Sequence, residues 1–168
     1  MSRKTLLICT LVLIMTLPVL TQAQPLQTAV DDLLGGWVRA FNEKSLPALE
    51  ELLAPDFTRT YRGTPMPPVS RDEFLEATSL MFTHQKLISL SCSISSDYSI
   101  SGSLDLCRVT GFDLRLVMMM NLEGIDMGAI SKDELGNGAI TLNFLDSEMF
   151  LVKQSDGSLK VSQLFVTP

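Results

Sequence analysis

"SRDEFLEATSLMFTHQKLISLSCSIS", residues 70–95, changes its period partway along, and that change decides the fold class. Up to Gln85 the pattern is helical. Ser70 is placed to cap, Glu73 stands three residues on to complete a capping box, and Phe74, Leu75, Ala77, Leu80 and Met81 form the apolar set. From Lys86 the pattern alternates, with Ile88, Leu90, Cys92 and Ile94 on one side and serines on the other, as in a half-buried strand.

Upstream of this switch the chain reads as helix. "LQTAVDDLLGGWVRAFNEKS" (26–45) carries Val30, Leu33, Leu34, Trp37, Val38 and Phe41 on one broad face. Gly35 and Gly36 weaken its middle and suggest a close approach there. "SLPALEELLAPDF" (45–57) is a short second helix, with Ser45 as N-cap, Pro47 in the first turn and Pro55 as its stop. "TRTYRG" (58–63) follows as a short strand and "TPMPP" (64–68) as a loop.

Downstream the chain reads as strand. "LDLCRVTGFDLRLVMMM" (104–120), "AITLNFLDSEMFLVKQ" (139–154) and "SLKVSQLFV" (158–166) are three further strands, the last two joined by the turn "SDGS". "NLEGIDMGAISKDELGNG" (121–138) is a glycine-rich loop between them. Three helices followed by antiparallel strands specify an α+β fold, with the helices covering one face of a curved sheet.

The first 23 residues stand apart from this pattern. Arg3 and Lys4 precede an apolar run broken by Pro18, and Thr21 and Ala23 occupy the small positions of a signal-peptidase site, so cleavage is expected after Ala23. The run is shorter than the roughly 20 apolar residues a membrane span needs. Cys9 lies too early in it to be a lipoprotein cysteine. The expected product is one secreted or periplasmic domain, 24–168, with no stable membrane anchor. Loss of Arg3 and Lys4 lowers the 13 basic residues to 11 against 19 acidic ones, a net charge of −8, which argues against nucleic acid as a partner.

Three phrases in order carry a family resemblance: "WVRAFNEKSLPALEELLAPDFTRTYRG" (37–63), "ISSDYSISGSLDLCRVTGFDLRLV" (94–117) and "MFLVKQSDGSLKVSQL" (149–164). Together they resemble the nuclear transport factor 2-like superfamily, which includes SnoaL-like polyketide cyclases and ketosteroid isomerases. The resemblance implies a cone, the cystatin-like α+β roll, in which a bent sheet wraps helices around an apolar pocket. It does not imply one function, because the scaffold serves enzymes, binders and assembly domains. Trp37, Phe41, Phe57, Tyr61, Leu116, Met118, Met120 and Phe144 are the candidates to line such a pocket. Ordinary core packing is the competing role for them.

Catalytic candidates are few. Ketosteroid-isomerase-like chemistry needs a carboxylate base facing an oxyanion site in an apolar pocket. Tyr61 is the better-placed tyrosine, while Asp56 competes with a turn role and Asp113 with a solvent-side pair to Arg115. His84, the chain's one histidine, ends the third helix, where capping competes with an acid–base role. One histidine and two spaced cysteines make no metal set, so neither a metal nor another cofactor is expected.

Cys92 and Cys107 are read through the hairpin between them. A turn centred between Ser99 and Ile100 would place Cys92 opposite Cys107, and an oxidising compartment would then favour a disulfide. Two free buried thiols are the alternative.

These readings leave three functions open. One is an exported, non-catalytic domain, homodimeric through its open sheet face, that binds a small hydrophobic ligand or a protein partner. The second is a cyclase, isomerase or hydratase acting on a hydrophobic molecule through Tyr61 with Asp56 or Asp113. The third is an assembly domain whose cone is filled by its own side chains.

Overall fold

The computed structural model describes residues 25–121 and 138–168. The expected export segment and nearly all of the glycine-rich connection lie outside these residues. Helix α1 covers 25–42 and buries Val30, Leu33, Leu34, Trp37, Ala40 and Phe41. It runs unbroken through both glycines. A Cβ on Gly36 would stand 3.3 Å from Leu52 Cδ2, so the missing side chain lets the second helix lie close.

That helix, α2 (Leu46–Leu52), starts where the Ser45 hydroxyl accepts the Ala48 N–H at 3.4 Å. It ends earlier than Pro55 and passes directly into β1 (Leu53–Tyr61). Pro55 sits instead in the irregular stretch of β1 between Leu53 and Thr58, where its missing N–H breaks no regular ladder. β2 (Val69–Ser70) pairs with β1 and leads into α3 (Arg71–Phe82). Both halves of the Ser70/Glu73 capping box form. The buried face of α3 is Phe74, Thr78 and Phe82, stepping by four residues, with Leu75 and Met81 partly covered. Leu80, assigned to the apolar set by its sequence, lies outside this face and is 67% exposed.

The remaining strands are β3 (Leu87–Ile94), β4 (Ser99–Gly102), β5 (Leu106–Met120), β6 (Ala139–Lys153) and β7 (Leu159–Thr167). The sheet runs β2-β1-β7-β6-β5-β3, with β4 also on β5. β1 and β7 are parallel and the other pairs antiparallel. On β3, Leu90 and Cys92 point into the core, but a register shift between Leu87 and Ser89 turns Ile88 out to 65% exposure.

The expected cysteine pair does not form. Cys92 stands opposite Leu116, whereas Cys107 stands opposite Gly102, and both are free and buried. Strand rise puts the two sites on the order of 25 Å apart along β5, against the roughly 7 Å that limits Cα separation in a disulfide. The reversal is at Ser103–Asp105 and not at Ser99–Ile100. Ser103 N–H donates to Leu106 O at 2.9 Å, and Gly102 adopts a φ of +106° with Leu106 O only 2.4 Å from where a Cβ would lie. β3 and β4 therefore line up along one edge of β5.

β5 and β6 bend together. Register shifts flank Phe112 in β5, next to Gly111 at φ +77°, and Asp146 in β6 takes φ +45°. Asp113 ties the two irregularities: its Oδ1 accepts the Asp146 N–H at 3.0 Å, and its own N–H donates to Ser95 Oγ at 2.8 Å. On the outer face Glu148, nearly inaccessible, is bridged by Arg62 and Arg108. These guanidiniums also lie over Phe165 and Phe150, at 5.1 and 5.6 Å from the ring centroids.

Two outcomes check this arrangement. Burial raises both thiols, Cys92 to about 12, so iodoacetamide at about pH 8 should label neither peptide in the folded protein. In urea without reductant it should label both, and protection there would restore the disulfide. Glu148 is held below the usual glutamate value by its hydrogen bond from Arg108 and then by Arg62, against the opposing effect of burial. A lowered native value means that its contribution is full above the ordinary value of 4.5 and is lost as pH falls through the native one. Glu148→Gln should cost about 2 kcal/mol at neutral pH, and melting curves across the acid range should show less loss of stability below that point.

Candidate functional site

The bend turns the sheet into a trough, and α1 and α3 lie across it. Between them is a cavity of about 150 Å³. Trp37 and Phe41 enter from α1, and Phe74, Ala77, Thr78 and Met81 from α3. The sheet supplies Arg59 and Tyr61 from β1, Leu114 and Leu116 from β5, Leu142 and Phe144 from β6, and Leu164 and Val166 from β7. The aromatic wall is ordered by stacking. Trp37 lies between Phe41 and Phe74, with centroid separations of 5.6 and 6.0 Å and interplanar angles of 29° and 26°.

Five of the residues singled out from the sequence meet at this cavity: Trp37, Phe41, Tyr61, Leu116 and Phe144. Phe57 does not reach it. It is buried behind Phe74, at a centroid distance of 5.1 Å, and is core. Met118 and Met120 lie further along β5 and are not in the wall; both are half-buried, and Met118 packs at the edge of the core.

The catalytic candidates do not converge. Tyr61 borders the cavity, but Asp56 is exposed on β1 and Asp113 is exposed at the bulge, where it holds β5 against β6. Asp113 and Arg115 do share the exposed face of β5, and the Asp113 carboxylate accepts from the Asp146 backbone. His84 follows α3, outside the cavity, and its Nδ1 accepts the Lys86 N–H at 3.2 Å. Among the described residues lining the cavity there is no Asp, Glu or His.

Its polar groups are the hydroxyls of Thr78 and Tyr61, which donate and accept, and two donor-only groups, the Arg59 guanidinium and the Trp37 indole. Thr78 is already engaged, its hydroxyl donating to Phe74 O at 2.8 Å. The Arg59 guanidinium sits over two rings, 4.7 Å from the Tyr61 centroid and 5.0 Å from that of Phe74. Burial lowers its pKa, with the nearby Tyr61 acting in the opposite direction. Arg59 was legible and was missed. Phe57, Arg59 and Tyr61 alternate on one strand, so the face that carries the tyrosine inward carries the arginine too. Phe74 and Met81 belong to the apolar face of α3, and nothing in their own pattern separates a core position from a wall position.

Neither a protein-family model nor a curated protein matches the sequence. Solved structures do match the fold. A protein from Kribbella flavida aligns over 86% of this chain and 91% of its own, at 15% identity and a TM-score of 0.66. A type 2 hexachlorocyclohexane dehydrochlorinase aligns over 87% and 86%, at 13% identity and a TM-score of 0.61. A ketosteroid isomerase-like protein from Erwinia carotovora atroseptica aligns over 83% and 93%, at 14% identity and a TM-score of 0.55. The three helices and open, bent, mixed sheet of this chain are the cone fold of the nuclear transport factor 2-like proteins.

Proposed function

We propose that this chain is an exported domain that binds a small, largely apolar molecule in the cone without transforming it. The cavity carries the reading: about 150 Å³, walled by stacked aromatics and branched aliphatic side chains. A space of this size suits a molecule of about one ring. Export rests on the charged start, apolar run and small-residue cleavage pattern of residues 3–23. A homodimer would use the outer sheet face, where Leu106 is 57% exposed beside the Arg62–Glu148–Arg108 cluster.

A catalytic reading retains one specific support, the position of Tyr61 in the cavity wall. The dehydrochlorinase and the isomerase-like protein show that the fold hosts such names, but at 13% and 14% identity they transfer the fold alone.

Native mass spectrometry of the protein from its exporting compartment tests the binding reading. The expected result is a chain that begins at Gln24, dimeric, carrying an adduct of roughly the mass of a one-ring compound. Ala77 is exposed on α3 yet borders the cavity, so Ala77→Phe should close the opening at a cost of less than about 1 kcal/mol. The adduct should fall at least about tenfold in this variant. Equal loading of both proteins would remove the cone as the site. Turnover of a hydrophobic substrate that Tyr61→Phe abolishes would replace binding with catalysis.

A further inference from the structure

We infer that the cone ligand is an anion, a small aromatic monocarboxylate whose carboxylate is received by Arg59 and the indole N–H of Trp37. The inference rests on the binding reading and specifies its ligand. Trp37 and Arg59 line the same cavity, and each carries a buried donor that lacks an acceptor. Trp37 is 1% exposed and its Nε1 has no hydrogen-bond partner; Arg59 Nε is likewise buried and unpartnered. An indole N–H can only donate, and so can a guanidinium. Donors kept from water without an acceptor are costly, and the missing partner must bring lone pairs.

The charge of that partner follows from Arg59. Arg62 and Arg108 both meet Glu148, and Arg71 meets Glu50 at 3.0 Å. Among the described residues, no carboxylate stands within ion-pair distance of Arg59. Its guanidinium lies over the Tyr61 and Phe74 rings, and a planar, two-oxygen acceptor matches its fork of N–H donors. The rest of the wall, with Phe41, Leu116 and Phe144, offers apolar contact to a ring. In about 150 Å³ that ring is single.

Benzoate and its uncharged counterpart benzamide test the inference by isothermal titration calorimetry. Emission of Trp37, the chain's one tryptophan, gives a second readout from inside the site. Benzoate should bind the wild-type protein at least about tenfold more tightly than benzamide and should change Trp37 emission. Arg59→Met should abolish the preference, and Arg59→Lys, which keeps the charge but loses the fork, should restore only part of it. Equal affinity of the wild-type protein for the two compounds would overturn the anionic ligand and leave an apolar binding cavity standing. A preference that survives in Arg59→Met, shown by circular dichroism to be folded, would remove Arg59 as the receiver. Should Arg59→Met not fold, the wild-type comparison and Arg59→Lys decide the matter. Failure of both compounds to bind by calorimetry would overturn the cone-binding reading together with this one.

Discussion

Two paired strands of fifteen residues each cannot stay straight in a domain of this length. At strand rise they would run about 50 Å, whereas a chain of 168 residues packs into a body roughly 40 Å across. β5 and β6 must bend, and the sequence provides the bend at matching places. Gly111 takes the left-handed conformation beside the β5 register shifts, and Asp146 does the same on β6. Asp113 then fixes one bulge to the other through the Asp146 N–H and to the residue that follows β3 through Ser95. The trough that α1 and α3 cover follows from this bend. Without it Leu114 and Leu116 would not face Trp37 across a gap, and the cavity would not form.

The same bend separates what the sequence made legible from what it hid. Periodicity within one element is local information, and it specified the α1 face, the capping box at Ser70 and the strand character of 87–94. Registry between elements depends on where a chain reverses. "SSDYSISGSLD" contains two sets of turn residues, and only the second, with Gly102 at positive φ, is used. Centring the hairpin early created the apparent meeting of Cys92 and Cys107. The misreading of Ile88 has the same origin, since a bulge flips the strand face that simple alternation extends. The cavity wall was legible in proportion to residue type. Trp37, Phe41 and Tyr61 stand out as large rings, whereas Arg59 does not, because a charged residue on a short strand is ordinarily solvated.

Arg59 alters the chemistry that the cone can offer. A wall of phenyl and aliphatic groups alone would favour any compact apolar molecule and would discriminate weakly among them. Adding a guanidinium that lies over two rings, and an unpartnered indole N–H on a residue of the same wall, gives the interior two donors that lack acceptors. Such a site rejects a ligand lacking an acceptor more strongly than it rejects one of slightly wrong shape, because the unpaired donors remain unpaired. Selectivity in this cone would then come from two polar atoms and its size limit from the aromatic stack.

The distribution of charge over the molecule sharpens that argument. The chain carries a net −6, an overall field that opposes the approach of an anion. Yet Arg62, Arg71 and Arg108 are tied to carboxylates, while Arg59 is kept from its own kind of partner inside the trough. A basic group retained in an apolar cavity of an acidic protein is not explained by solubility, and it weakens the fold unless something offsets its desolvation. The rings of Tyr61 and Phe74 offset part of that cost by their π faces. An acceptor in the cavity would supply the rest, which ties the stability of the bent sheet's interior to the occupancy of the site it forms.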